Sequence, residues 1–407
     1  MDLDPKQQDA VDLISTGRIG IITGGPGTGK TTCLRVALER LRTQGKHVAL
    51  MAPTGKAARR MSQACSYPAE TIHRALGYNQ GLWGHNVECP YPADVVIVDE
   101  ASMLDTTIGA VLLNAIDERR TSLFFVGDAN QLPSVGAGNV LADLMALEDV
   151  PLVRLETLHR AAQASWMNRN APRILAGDMI NLELDSAPDF RYVRTDEPER
   201  LAKVIEQELN TVQELVGTAL TMEEALTETQ VLIPQKKGPL GVHSVNRMLQ
   251  AAVQGGDMKR SEGWQLPDES YLYAGDKVMQ MKNNYVLDLM NGEQGIVAGV
   301  HEGRDLVVDI EGESYRYNNE ASWALQLAYA STVHKSQGSE WPLVIVVCHT
   351  SHGRMLYRQL LYTAVTRAKK RVVIVGDDDG IGRAVRTSHV QERQTGLQQA
   401  VLAAIGG

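Results

Sequence analysis

Gly24-Gly25-Pro26-Gly27-Thr28-Gly29-Lys30-Thr31, entered from the apolar run 20–23 and leaving into a helical pattern over 31–42, decides how the rest of the chain is read. The spacing is GxxxxGK[ST], with a strand before it and a helix opening after it, the context that a phosphate-cradling loop needs. Gly25, Gly27 and Gly29, with Pro26 and Thr28 between them, let backbone amides approach phosphates. Lys30 supplies charge to the β and γ phosphates, the Thr31 hydroxyl suits magnesium, and Thr32 completes the first helical turn, where the helix dipole favours an anion. A chance glycine-rich turn does not account for both flanks.

Working outward, Val95-Val96-Ile97-Val98-Asp99-Glu100 puts two carboxylates directly after a second apolar strand, Asp99 to hold magnesium and Glu100 to polarise an attacking water. Alone, such residues are as often helix caps; with the upstream loop they point to nucleotide hydrolysis. Further short apolar runs lie at 48–51, 123–126 and 152–155, with a helical pattern at 107–118, and a second set follows at 230–233, 343–347 and 371–375. Strands alternating with helices predict an α/β chain with parallel sheets, as two tandem domains. The rhythm breaks at 292–318, where 294–300, 305–310 and 313–317 read as short antiparallel strands, a small β insertion. Residues 77–92, rich in Gly, Asn, Pro and aromatics, read as a hairpin or irregular excursion.

Composition sets limits. A formal net charge of −9 argues against a protein that coats nucleic acid through bulk positive charge, though a narrow basic track stays compatible with it. No apolar run approaches the roughly 20 residues of a membrane span, and the first eight residues are polar, so no membrane association is expected and the cytoplasm is the expected location. Cys33, Cys65, Cys89 and Cys348 are scattered without CxxC pairing, which suggests neither a zinc site nor a disulfide framework.

Taken in order, these motifs resemble the RecD-like branch of superfamily 1 helicases across essentially the whole chain. Gln7 looks like the adenine-reading glutamine, Pro53-Thr54-Gly55-Lys56 like the segment that grips a DNA backbone, and Thr71-Ile72-His73-Arg74 like a further contact. Gly127-Asp128-Ala129-Asn130-Gln131 is similar to the coupling motif, with Gln131 sensing the γ phosphate. Lys236 belongs to the opening of the second motor domain, and Thr332-Val333-His334 with Gly338-Ser339-Glu340 resembles the motif in which threonine and histidine meet DNA and glutamate meets the ribose. Arg160 and Arg367 are the candidate arginines for hydrolysis; on its own, either arginine is as well read as a solvated or capping side chain. His159 stands where the family usually has an aromatic that stacks on adenine, and the glutamine motif starts almost at Met1, so the accessory N-terminal region of longer relatives is expected to be missing.

The resemblance implies two RecA-like P-loop motor domains, 1–156 and 157–407, with a hairpin or pin insertion at 77–92 and an SH3-like β insertion at 290–322. It implies ATP and Mg²⁺ bound between them, and single-stranded DNA held by Pro53, Thr54, Lys56, His73, Lys236, Thr332 and His334. Trp83 is either the tip of a strand-splitting pin or an aromatic anchor for its loop. The expected activity is 5′-to-3′ travel with unwinding of duplex junctions that carry a 5′ overhang, in company with recombination or replication proteins. Two alternatives stay open: a translocase that displaces proteins or remodels recombination intermediates, and a nucleotide-gated DNA-binding subunit of a recombination complex.

Overall fold

Short β-branched runs bounded by glycine or charge form the strands of two parallel sheets, each in its own compact unit. The structure is a computed structural model that describes residues 3–157, 165–182, 188–195, 197–217, 221–256, 258–284, 286–287, 289–301, 305–388 and 396. The described part of the first unit is 3–157 with 396, and that of the second is 165–388.

In the first unit the strands are β1 (Ile19–Gly24), β2 (Val48–Ala52), β3 (Ala69–Thr71), β4 (Val95–Val98), β5 (Ser122–Gly127) and β6 (Leu152–Leu155). They pair in parallel in the order β3-β2-β4-β5-β1-β6. The helices are α1 (Pro5–Thr16), α2 (Lys30–Thr43), α3 (Gly55–Cys65), α4 (Ile72–Ala75), α5 (Thr106–Asn114) and α6 (Val140–Met145). Alternate strand residues feed opposite cores. Ile22, Ile97, Phe124 and Val126 pack with apolar residues of α1, α2 and α3, while Ile21, Val96, Val98 and Phe125 pack with those of α5 and α6. Each such buried side chain contributes about 1.5–3 kcal/mol relative to exposure, which is why continuous apolar runs become central strands.

α5 stops at Asn114, short of the 107–118 pattern. Asp117 takes the chain out of the helix by accepting from the Arg119 amide, a local bond that competes with helical pairing, so the apolar Ile116 extended the periodicity beyond the helix. Residues 77–92 hold one isolated bridge, Asn79 to Leu82, and no paired strands.

The second unit carries β7 (Phe190–Arg194), β8 (Thr229–Ile233), β9 (Trp264–Gln265), β10 (Tyr271–Leu272), β11 (Lys277–Gln280), β12 (Gln294–His301), β13 (Asp305–Ile310), β14 (Glu313–Tyr317), β15 (Leu325–Leu327), β16 (Ala330–Thr332), β17 (Trp341–Cys348) and β18 (Ala368–Gly376). Its helices are α7 (Trp166–Ala176), α8 (Pro198–Val216), α9 (Met222–Thr227), α10 (Val242–Val253), α11 (Asn319–Ser322), α12 (Arg358–Val365) and α13 (Asp378–Arg386). The parallel sheet runs β16-β8-β17-β18-β7, and an antiparallel sheet runs β14-β13-β12-β11-β15. The antiparallel module therefore draws in β11 and β15 beyond the three strands legible in the sequence. Buried Lys277 ties it to the parallel sheet, its ammonium donating to Leu226 O at 2.8 Å, Thr229 O at 2.7 Å and Gln230 Oε1 at 3.3 Å. No helix among the described residues is long and apolar enough to cross a membrane.

Candidate functional site

In an open parallel sheet, ligands collect outside the carboxyl ends of the strands. In the first unit β1 exits into the glycine-rich loop, β4 into Asp99-Glu100, β5 into 128–131, and β2 into α3. The loop needs its glycines: Gly27 has φ 74° and Gly29, which caps α2, φ 90°, both in the left-handed region. A Cβ on Gly24 would lie 2.6 Å from Thr28 Oγ1 and 2.8 Å from Leu155 O. The Thr28 hydroxyl donates to Gly25 O at 2.8 Å, and the Lys30 ammonium lies over the loop, donating to Gly24 O at 2.5 Å and Gly25 O at 3.0 Å. Thr31 and Thr32 stand on the first turn of α2.

Gln7 is buried and braces the same loop. Its Nε2 donates to Thr28 O at 3.1 Å while its Oε1 accepts from the Asp4 amide at 3.1 Å. Asp99 Oδ1 accepts from the Glu100 amide at 2.8 Å. Burial, then the neighbouring Glu100 carboxylate, pushes the Asp99 carboxyl above the ordinary range, against the pull of Arg60 and Lys30. Glu100 is a non-glycine residue with φ 52°, buried, and its Oε1 accepts from Arg60 Nη2 at 2.8 Å. Gln131 is buried, its Nε2 3.3 Å from Asp128 Oδ2, and the Ala129 amide donates to Thr23 Oγ1 at 3.4 Å, fastening this segment to β1. Lys30, Thr31, Asp99, Glu100 and Gln131 thus share one carboxyl edge. Arg60 is a participant that sequence reading missed; the available signal was its position one helical turn beyond Lys56, on the same face of α3.

Pro53 and Thr54 form the junction from β2 to α3, where Thr54 Oγ1 caps the helix by accepting from the Ala57 amide at 3.3 Å, with Lys56 in the first turn. His73 meets Tyr78 edge-on at 5.4 Å and Trp83 at 5.3 Å, and the two larger rings lie 4.6 Å apart. Burial lowers the His73 pKa, with Asp105 opposing.

In the second unit Thr332 is buried and caps the following turn by accepting from the Lys335 amide at 3.4 Å. The pKa values of His334 and Lys335 are both lowered by burial, Lys335 also by the charge of Lys236. Lys236, Thr332 and Lys335 line a cavity of about 470 Å³ with His243, Arg247 and Ser331, whose buried hydroxyl has no hydrogen-bond partner. His243 and Arg247 were not singled out from sequence, because α10 gives them no motif of their own, and Ser331, which lies beside Thr332 in its motif, was given no role. Gly338 has φ 73°, Glu340 is half-buried, and buried Arg367 donates to Thr363 O and Ser339 O, each at 3.3 Å. His159 and Arg160 lie outside the described residues.

A glycine-built loop between a central parallel strand and a helix, with paired carboxylates at the end of a nearby strand, defines a P-loop nucleotide-binding protein. Residues 2–197 match the model of an AAA domain, and 327–375 that of a UvrD-like helicase C-terminal domain. The chain is 37% identical over 377 residues to the ATP-dependent RecD2 DNA helicase of Deinococcus radiodurans, covering 92% of this chain and 49% of that protein, so it spans about half the length of that relative. It is 32% identical over 424 residues to the RecD subunit of the RecBCD enzyme of Mycolicibacterium smegmatis, covering 97% of this chain and 74% of that one. The fold is also that of the Pif1 helicase from Bacteroides solved with ADP-AlF3 and ssDNA, with a TM-score of 0.56 at 19% identity, over 100% of this chain and 98% of that one. The chain belongs to the RecD family of superfamily 1 helicases.

Proposed function

We propose that the chain is an ATP-hydrolysing DNA helicase that moves 5′-to-3′ on single-stranded DNA and unwinds duplexes bearing a 5′ overhang. The observation that carries this reading is the shared carboxyl edge, where Lys30 and the glycine loop stand beside Asp99 and Glu100 in a chain of RecD kinship. Lys30 and the α2 amides would bind the phosphates, Gln131 would sense the terminal one, and Glu100 would orient and deprotonate the attacking water.

The residues fit a bound Mg²⁺. Thr31 and Asp99 offer a hydroxyl and a carboxylate, an all-oxygen set that this hard cation accepts with phosphate and water completing the shell, and no cluster of three His, Cys, Asp or Glu side chains exists among the described residues to compete. The cation would supply charge neutralisation on the phosphates. Burial raises the Asp99 pKa, and a cation bound there would favour its charged form.

On motif grounds Arg160, Arg367, Gly338 and Glu340 are assigned to ATP turnover, with His159 beside the base. Pro53, Thr54, Lys56, His73, Lys236, Thr332 and His334 are assigned to the DNA backbone. The antiparallel module that includes 290–322 is proposed as the family's SH3-like insertion, and 77–92 with Trp83 as its pin. The division into motor domains 1–156 and 157–407 follows the same reading. Recombination or replication proteins are the proposed partners; the Mycolicibacterium relative is itself named as a subunit of the RecBCD enzyme.

The test is steady-state ATP hydrolysis with and without oligo(dT), beside unwinding of duplexes with a 5′ or a 3′ overhang. DNA-stimulated hydrolysis with unwinding from the 5′ overhang alone, both abolished by Glu100→Gln while ATP binding persists, is the expected outcome. Stimulated hydrolysis without unwinding would mark a translocase, and hydrolysis indifferent to DNA would refute the motor.

A further inference from the structure

The carboxylate assigned above as the base is ion-paired. Glu100 Oε1 accepts from Arg60 Nη2 at 2.8 Å, with the Glu100 side chain 7% exposed and that of Arg60 30% exposed. At that distance and burial the bond is charge-assisted and little screened by water, and it engages a carboxylate oxygen that a base would otherwise offer to water. Glu100 itself sits on rigid support: its amide is tied to Asp99 Oδ1, and its left-handed backbone, sterically disfavoured for a side chain with a Cβ, follows directly on the central strand β4.

Arg60 comes from a different element. α3 leaves the adjacent strand β2, is capped by Thr54, and buries Ala57, Ala58, Met61 and Cys65. Lys56 and Arg60 are four residues apart, so they share a face and are separated by about 6 Å along the axis. Thr54 and Lys56 thus stand at the start of the helix that carries Arg60, whereas Glu100 follows β4. The pair begins at 2.8 Å, so a shift of about 1 Å takes it beyond hydrogen-bonding range.

We propose that Arg60 is a positioning residue that restrains Glu100, and that a nucleic-acid backbone bound at the N-terminal turn of α3 releases it, which makes hydrolysis depend on nucleic acid. The proposal rests on the reading of Glu100 as the base and of Thr54 and Lys56 as nucleic-acid contacts. It differs from a merely structural ion pair in one respect: loss of Arg60 removes a restraint on the base instead of disabling it.

The experiment compares ATP hydrolysis by the wild-type chain, Arg60→Gln and Arg60→Lys, each with and without oligo(dT). Release of one charge-assisted hydrogen bond corresponds to about tenfold, so Arg60→Gln is expected to raise the unstimulated rate about tenfold and to leave the stimulated rate within about threefold, collapsing the ratio between them. Arg60→Lys, which keeps the charge, is expected to preserve part of the ratio. Equal loss of both rates, or a wild-type ratio in Arg60→Gln, overturns the latch while the motor reading stands. A wild-type chain without stimulation by oligo(dT) overturns both. Should Arg60→Gln fail to fold, side-chain NMR of arginine-labelled wild-type protein decides: the Arg60 guanidinium signal, assigned from Arg60→Lys, moves when oligo(dT) is added, and an unmoved signal at saturation overturns the proposal.

Discussion

Replacing Lys277 with Met removes an ammonium while keeping much of the side chain's length, at a position 1% exposed. Three acceptors lose it. Leu226 O keeps the Glu228 amide, and Gln230 Oε1 keeps Gln294 Nε2 at 2.8 Å. Thr229 O fares worse, since β16 pairs with β8 only from Val231 onward and does not reach it. An orphaned buried carbonyl costs about 1–3 kcal/mol, and each weakened hydrogen bond about 0.5–1.5 kcal/mol. The removed charge no longer has to be kept out of water, which offsets part of the loss. The net destabilisation expected is about 2–4 kcal/mol, local to the junction between β11 and β8, or about 30- to 700-fold in an opening equilibrium. Amide hydrogen exchange is the suitable assay because it reads local opening and does not require the whole chain to unfold in two states. Amides of β8 and β11 in Lys277→Met should exchange faster by that factor, with those of β1 and β5 unchanged. Exchange within about threefold of wild type at β8 and β11 would refute the argument that this ammonium holds the module to its sheet.

Gly24→Ala forces a Cβ against Leu155 O at 2.8 Å, a backbone atom that cannot step aside, and displaces the phosphate loop. Nucleotide affinity and turnover should fall about 10- to 100-fold with the circular dichroism spectrum intact; near-normal turnover would count against the cradle geometry. Burial pushes the Asp377 carboxyl up, but the Thr350 and Gly380 amides, the Thr350 hydroxyl and His349 outweigh it and hold the pKa below its ordinary 3.8. The group therefore stabilises the folded state above that value and loses its contribution as pH falls through the lower folded pKa. The difference in urea midpoint between wild type and Asp377→Asn should shrink as pH falls below 3.8; a difference that grows on that acidification would be the wrong sign. Trp83→Ala breaks the trio with His73 and Tyr78. If the ring meets bases, affinity for oligo(dT) drops by about 1–3 kcal/mol, whereas lowered thermal stability with unchanged affinity would make it an anchor only.

The strands most legible in sequence are those marked by a short apolar run or by strict alternation between turns. The runs 95–98 and 152–155 match β4 and β6 at both ends, and 305–310 and 313–317 match β13 and β14, because apolar run length or strict alternation with glycine turns fixes them locally. β3 and β7 sit at sheet edges with burial too mixed to leave a pattern, and β16, though buried throughout, is only three residues long. The phosphate loop was legible down to the residue because its geometry demands positive φ, which only particular residue types supply at particular spacings.

Which motifs meet was decided by the sheet order. β2 lies beside β4 and β1 between β5 and β6, which brings Lys30, Asp99, Glu100 and Gln131 to one edge although up to 101 positions separate them in the chain. Sequence determined the chemistry available at that edge, because a GK[ST] loop and paired carboxylates have few other uses. It left open that Gln7 would brace the loop through Thr28 O, that Thr54 and Thr332 would cap helices, and that Arg60 would reach Glu100. The two threonine caps are local bonds three residues long, whereas Gln7 with Thr28 and Arg60 with Glu100 join residues whose separations carry no periodic signal. The long-range pairs exist only once β-strand order and helix packing set the distances, and a hydrogen bond exists only at such distances.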